Sequence, residues 1–376
     1  MRGLQSLLIL ACLVGALFAQ VYEKNLPLDH PSIAYSKGPV DDRVSRLTLK
    51  LQFRRGGLGY LPSLLEALDV REDSQALVFS KSGLQSAKTS PRTPRAIYFN
   101  DDVAVGFVQG GDTLEVAAQD PRQGTVFYTL DAAESQKPRL VRRENCLQCH
   151  QGPATAGVPG MYVSSVYTSS IGTVYFSLGT IVTDHRTAFE DRWGGWYVTG
   201  THGAQKHRGN AIADNPADPR SEGTQNLTSL TLNIDTSKYL APTSDIVALM
   251  VFEHQTQMLN LFTRLGWQAR MGTMDSASID EVVRYMTFEE ETKLKEPIVG
   301  VSTFTQTFPR RGPRDSKGRS LRDLDLKTRL FKYPLSFMIY SEPFDALPAN
   351  VRTEIMKRLT ARLAPEVLEI LRGTGK

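Results

Sequence analysis

The segment Glu144-Asn145-Cys146-Leu147-Gln148-Cys149-His150-Gln151 holds two cysteines and a histidine at C-x-x-C-H spacing, and it constrains the chain more than any other feature. The one further cysteine is Cys12. Two thiols this close in sequence would close almost no loop as a disulfide, so they would restrict the unfolded chain very little. A fold stapled by disulfides spreads its cysteines along the sequence. Cys146 and Cys149 are therefore read as chemical groups, not as staples.

Three chemistries use this spacing. In the first, two thiols add to the vinyl groups of a porphyrin and the next residue, His150, swings beneath the ring to ligate iron. On a helical turn Cys146 and Cys149 share one face, and His150 follows on a fixed backbone. The second is a zinc corner, which needs four ligands with a second pair at recognisable spacing; no other cysteine follows residue 20. The third is a redox dithiol, which calls for a parallel strand feeding a helix that starts at the motif. The flanking signals read as antiparallel. Coincidence is the remaining reading: with 3 Cys and 6 His in the chain, chance yields the pattern on the order of once in a thousand such sequences. The balance favours one covalent haem c on Cys146 and Cys149 with His150 as proximal iron ligand.

The opening MRGLQSLLILACLVGALFAQ joins a lone Arg2 to an apolar run from Leu7 to Phe18, with small residues at Ala16 and Ala19. That is the layout of a secretory signal peptide over residues 1–19. The run is shorter than the ~18 to 20 apolar residues of a spanning helix. Export to the periplasm or beyond is expected, with no spanning segment after cleavage; lipid attachment at Cys12 is the weaker reading. Bacterial haem attachment of this type also takes place outside the cytoplasmic membrane. The formal net charge of +4 gives no warrant for a nucleic-acid partner.

The pattern predicts an α+β chain, with a strand-rich, haem-bearing middle region followed by a mainly helical C-terminal region and a cytochrome c-like turn at the motif. Expected divisions are 1–19 (signal peptide), 20–95 (mixed), 96–240 (strand-rich) and 241–376 (mainly helical). From Arg95, short β-branched and aromatic runs separated by Asn100-Asp101-Asp102, Gly110-Gly111-Asp112 and Asp120-Pro121 read as an antiparallel meander. A second strand-like set runs from Met161 to Val182. Leu61 to Leu68 reads as a short helix. Thr243 or Ser244 is expected to cap a helix from Asp245 to Leu265 that stops at Gly266, and further helices are expected at 278–294 and 348–373. The basic stretch from Pro309 to Asp323 reads as a mobile surface loop.

The ligand trans to His150 decides the chemistry. Methionine or histidine there makes a closed electron-transfer site, whereas an open position admits peroxide, oxygen or another small ligand. Met161 follows the loop GPATAGVPG, which can fold back over the ring. His185 and His202 flank FEDRWGGWYVTG, where Trp193, Trp196 and Tyr197 can form an apolar wall for a porphyrin and Arg186 or Arg192 can meet a propionate. His254 shares a helical face with Met250, Met258, Leu261 and Leu265. Met161, His185, His202 and His254 are thus the candidates for the sixth position. His207, between Lys206 and Arg208, reads as an exposed loop residue.

ENCLQCH resembles the attachment site of cytochromes c, which implies thioether bonds at Cys146 and Cys149 and proximal ligation by His150. Over most of the chain, PRAIYFNDDVAVGFVQGG, RWGGWYVTG and FKYPLSFMIYSEPFDALP are similar to an uncharacterised group of exported bacterial mono-haem proteins; that likeness implies a shared fold and no reaction. About 125 residues stand between leader and motif and over 200 follow it, far more than a haem-wrapping domain of roughly 100 residues. The leading expectation is single-electron transfer with a redox partner protein or a small-molecule donor or acceptor. The alternative is a haem c enzyme or small-ligand sensor, peroxidase-like, with an open sixth position. A third reading takes the haem as the electron entry point of a binding module. Phosphate-loop, serine-hydrolase, zincin and dinucleotide signatures are all missing from the sequence.

Overall fold

The computed structural model describes residues 24–48, 50–213, 215 and 226–376; the expected signal peptide lies outside them. The chain is α+β. After a short helix, α1 (Leu61–Ala67), come the strands β1 (Ala76–Val78), β2 (Arg95–Phe99), β3 (Val103–Phe107), β4 (Thr113–Asp120), β5 (Gly124–Asp131) and β6 (Leu140–Arg142). A one-turn helix, α2 (Leu147–His150), precedes β7 (Val163–Val166), β8 (Thr180–Thr183) and β9 (Trp196–Tyr197). Four longer helices follow: α3 (Ile246–Met271), α4 (Ser276–Met286), α5 (Ala349–Arg362) and α6 (Pro365–Gly373). Among the described residues no helix is long and apolar enough to cross a membrane.

Seven strands form one antiparallel sheet in the order β6-β5-β4-β3-β2-β1-β9, while β7 and β8 pair separately. The meander over β2 to β5 is as expected. Its register places Ala96, Tyr98, Val105, Phe107, Val116 and Tyr128 on one face, which packs on Leu61, Leu64 and Leu65 of α1. The other face carries Val78, Phe99, Ala104, Ala117, Phe127 and Trp196, directed towards α3. Both faces are covered, and that is why these strands read as continuous apolar runs instead of alternating ones.

Helix α3 is the axis of the molecule: every residue from Ile246 to Thr263 is buried, not just the expected stripe. Its cap is Asp245, not Thr243 or Ser244. The Asp245 carboxylate accepts from the N–H groups of Val247 at 2.8 Å and Ala248 at 3.2 Å, and its other oxygen accepts from Val301 and Ser302, both at 2.8 Å. The helix also runs through Gly266 and stops six residues later. Gly272 has φ +71°, and the N–H of Thr273 returns to the Gln268 carbonyl at 2.9 Å, the left-handed closure that ends many helices. Helix α4 closes the same way on Phe288, with φ +56°, well before the expected end at 294. No sequence rule marks a phenylalanine as a stop; its ring is paid back by packing on His254 at 4.5 Å. The expected helix at 348–373 is two helices, because the residues before Pro365 are extended as proline sterics demand. The basic stretch 309–323 is not a surface loop throughout: Arg322 is buried, pairs with Asp101 and lies over the rings of Phe308 and Phe337.

Candidate functional site

Strand β6 lies at the sheet edge and hands the chain to the turn Glu144–Cys146 and then to α2. Cys146 and Cys149 are free thiols, Cys146 half-buried and Cys149 exposed. Both line a cleft of about 300 Å³ together with His150, Met161, Tyr162, Trp196 and Phe252, within the usual size range of ligand sites. Its floor is the α3-facing side of the sheet. Ile97 pairs with Gly106, Ala104 with Ala117, and Ala117 with Phe127, so these side chains share one face. The small residues Ala104, Gly106 and Ala117 at its centre make the hollow.

His150 is oriented by the loop that follows it. Its Nδ1 lies 2.9 Å from the Gly160 carbonyl oxygen, and the Gly160 N–H donates back to the His150 carbonyl at 2.9 Å. A carbonyl oxygen only accepts, so Nδ1 carries the proton and the lone pair is on Nε2. Phe127 and Tyr162 pack on the ring at 4.7 Å and 5.6 Å. The loop is pinned to α3 in turn: Asn260 donates to the Met161 carbonyl at 2.8 Å and Arg264 to the Ala156 carbonyl at 2.7 Å. A Cβ at residue 160 would lie 2.1 Å from Asn260 Oδ1, so glycine alone fits. The first described residues strap the motif from outside, with Gln151 bonding the Leu26 carbonyl at 2.8 Å and Ser36 bonding Glu144 at 2.9 Å.

Burial lowers the pKa of His150 from its ordinary value, with the positive charge of Arg95 acting the same way and the Gly160 bond against it. The imidazole is held neutral, the form that ligates metals. Burial raises the Cys146 thiol, and Glu115 adds to the rise; an activated dithiol requires the opposite shift. A short helix does start at the motif, but the strand that feeds it, β6, pairs antiparallel with β5, not parallel as a redox dithiol calls for. Among the described residues no group of three or more Cys, His, Asp and Glu side chains converges as a metal cage requires. The needs of a tethered porphyrin are two unpaired thiols on one turn, a neutral imidazole with Nε2 unengaged and a largely apolar cleft. Each is present here.

Of the four sixth-position candidates, Met161 lines the cleft and the three histidines do not. His185 and His254 form a buried pair, Nδ1 to Nδ1 at 2.9 Å, and His254 Nε2 meets Ser336 Oγ at 2.7 Å. Both are held well below the usual imidazole pKa by burial. His202 packs on His207 with ring centroids 4.7 Å apart and accepts from the Asn226 N–H at 3.2 Å. His207 is buried, against the expectation of an exposed loop residue, because it packs on Trp193 and Phe189. The expected aromatic wall is split. Strand alternation turns Trp196 into the cleft and Tyr197 to the opposite face, and Trp193 is fully buried. Arg186 pairs with Asp184 at 2.6 Å and Arg192 with Glu253 at 3.4 Å, neither on the cleft.

Sequence reasoning missed Arg95, Glu115, Gly160 and Asn260. Arg95 and Glu115 line the cleft and pair at 3.1 Å. Their signal was available: each stands two residues from an apolar neighbour of the same strand face, Ile97 and Ala117. Asn260 showed only as a polar residue within a helix, and its partner lies 99 residues away. No protein-family model, curated protein or solved structure matches this chain.

Proposed function

We propose that this chain is an exported mono-haem c protein that transfers single electrons, with the haem joined through Cys146 and Cys149 and ligated by His150. The observation that carries the reading is the bond from His150 Nδ1 to the Gly160 carbonyl, which leaves Nε2 available in a cleft shared with both free thiols. When bound, the haem would supply a one-electron ferric/ferrous couple, with a potential set by ligands, hydrogen bonds and burial. In this reading α2 is the cytochrome c-like turn. Gly160 and Asn260 hold the imidazole, and Phe127 and Trp196 on the sheet face, together with Phe252 of α3, exclude water. A redox partner protein or a small-molecule donor or acceptor exchanges the electron, and the site of action is the periplasm or another exported location.

A second reading, a haem enzyme or small-ligand sensor with an open sixth position, is favoured by one observation. Among the described residues the cleft lining offers no thioether besides Met161, which directly follows Gly160 in sequence, and no imidazole besides His150. His185, His202 and His254 are engaged elsewhere, so a distal acid/base role for them has no support.

The test is the visible spectrum of protein produced with haem-attachment machinery, taken oxidised, reduced, and reduced under carbon monoxide. A c-type spectrum unmoved by carbon monoxide is the outcome expected of an electron carrier with two strong ligands. A spectrum that shifts moves the assignment to the open-site reading. Absence of any haem band sinks both.

A further inference from the structure

Arg95 and Glu115 project from β2 and β4 into a largely apolar cleft, their side chains 21% and 20% exposed and 3.1 Å apart. At that depth desolvation offsets most of the attraction between the charges, so stability alone gives no reason for an arginine here. The two partners are also unequally satisfied. Glu115 accepts from Gln85 Nε2 at 3.0 Å through one oxygen and from Arg95 Nη1 at 3.1 Å through the other. Arg95 spends Nη1 on Glu115, and among the described residues its Nε and Nη2 have no hydrogen-bond partner. Nε–H and the adjacent Nη2–H form one edge of the guanidinium fork, the edge that takes both oxygens of a carboxylate. Gly83 keeps room for this group, since a Cβ there would lie 2.5 Å from Arg95 Nη1.

We propose that this edge of Arg95 binds a carboxylate, the propionate side arm of the haem held at Cys146 and Cys149, and that Glu115 is a positioning residue that aims it. The assignment rests on the haem reading above. It differs from the sequence expectation in placing the propionate contact on the sheet, not on Arg186 or Arg192.

The experiment is a redox titration of the haem-loaded wild type and of Arg95→Gln, Arg95→Lys and Glu115→Gln, with haem content measured for each by its alkaline pyridine spectrum. Losing a cation beside the haem favours the ferric form. Arg95→Gln is expected to move the ferric/ferrous equilibrium roughly tenfold towards ferric, about 59 mV for one electron. Arg95→Lys should recover most of that shift. Glu115→Gln should move the equilibrium the other way, a reversal that a merely structural role would not produce. Equal potentials in wild type and Arg95→Gln, both carrying haem, overturn the proposal. So does a potential that responds to added sodium acetate in the wild type but not in Arg95→Gln, which would give the arginine to an anion from solution. If Arg95→Gln does not load, the comparison passes to Glu115→Gln, where an unshifted potential overturns it. A wild type without haem removes the haem reading itself, a result distinct from all of these.

Discussion

His150 is held by a chain of small contacts, each traceable to a single residue type. Gly160 offers both its carbonyl and its N–H to His150, and Asn260 fixes the next peptide. Gly160→Ala would drive a Cβ to 2.1 Å from Asn260 Oδ1, and overpacking of this kind costs about 1–3 kcal/mol. Urea denaturation should show the midpoint fall accordingly, and an unchanged midpoint would mean that the loop is free to move. Asn260→Ala removes the hydrogen bonds to the Met161 carbonyl and to Gln257 Oε1 and leaves that buried carbonyl without its donor, a loss of about 1–3 kcal/mol that should appear in the same measurement. The motif itself was legible because C-x-x-C-H is local chemistry. The support behind it was not, because Asn260 is meaningful only once α3 crosses the loop.

Helix ends decide how this chain turns, and they separate two glycines six residues apart. Gly266 is inside α3, where an added Cβ would meet only Leu347 Cδ2 at 3.4 Å. Gly266→Ala is expected to stabilise the protein by up to about 1 kcal/mol, because glycine is the poorer helix former. Gly272 has φ +71°, and Gly272→Ala should destabilise it by about 1 kcal/mol. Thermal melts of the two variants should move in opposite directions, and movement in the same direction would overturn the assignment of the helix end. At the other end, Asp245 satisfies four backbone N–H groups. Asp245→Ala loses a cap worth about 1 kcal/mol and strands the partly buried N–H groups of Val301 and Ser302, so a total on the order of 2–3 kcal/mol is expected in urea unfolding. The expectation of a stop at Gly266 erred because a glycine ends a helix only if the chain can leave there, and here Leu347 and the surrounding core accept a continuing helix. Phe288 is the converse: core packing forces a left-handed residue that sequence preference would reject.

For the molecule as a whole, buried histidines set the response to acid. Burial first of all lowers His185, His202, His207 and His254 from their ordinary 6.5, His207 to about 3. Below pH 6.5 the unfolded chain binds protons that these folded rings refuse, so stability falls as the pH drops. Glu253 works in the opposite direction: burial raises it from 4.5 to about 7 against the pull of Arg192, so between those values the folded form holds a proton that the unfolded chain releases. The urea midpoint should therefore decline from pH 7 and decline most steeply below about 4.5, where Glu253 no longer opposes it. A midpoint level from pH 7 to pH 4 would contradict this balance. The sequence by itself determined the C-x-x-C-H motif, the antiparallel meander and the presence of a long central helix, because spacing, turn residues and apolar runs act over a few positions. Only the tertiary structure decided which histidines are spent on packing, which arginine faces the cleft and where the helices stop. Those outcomes depend on residues such as Gly160 and Asn260, or Arg95 and Glu115, that are distant in sequence and meet only when the sheet closes against α3.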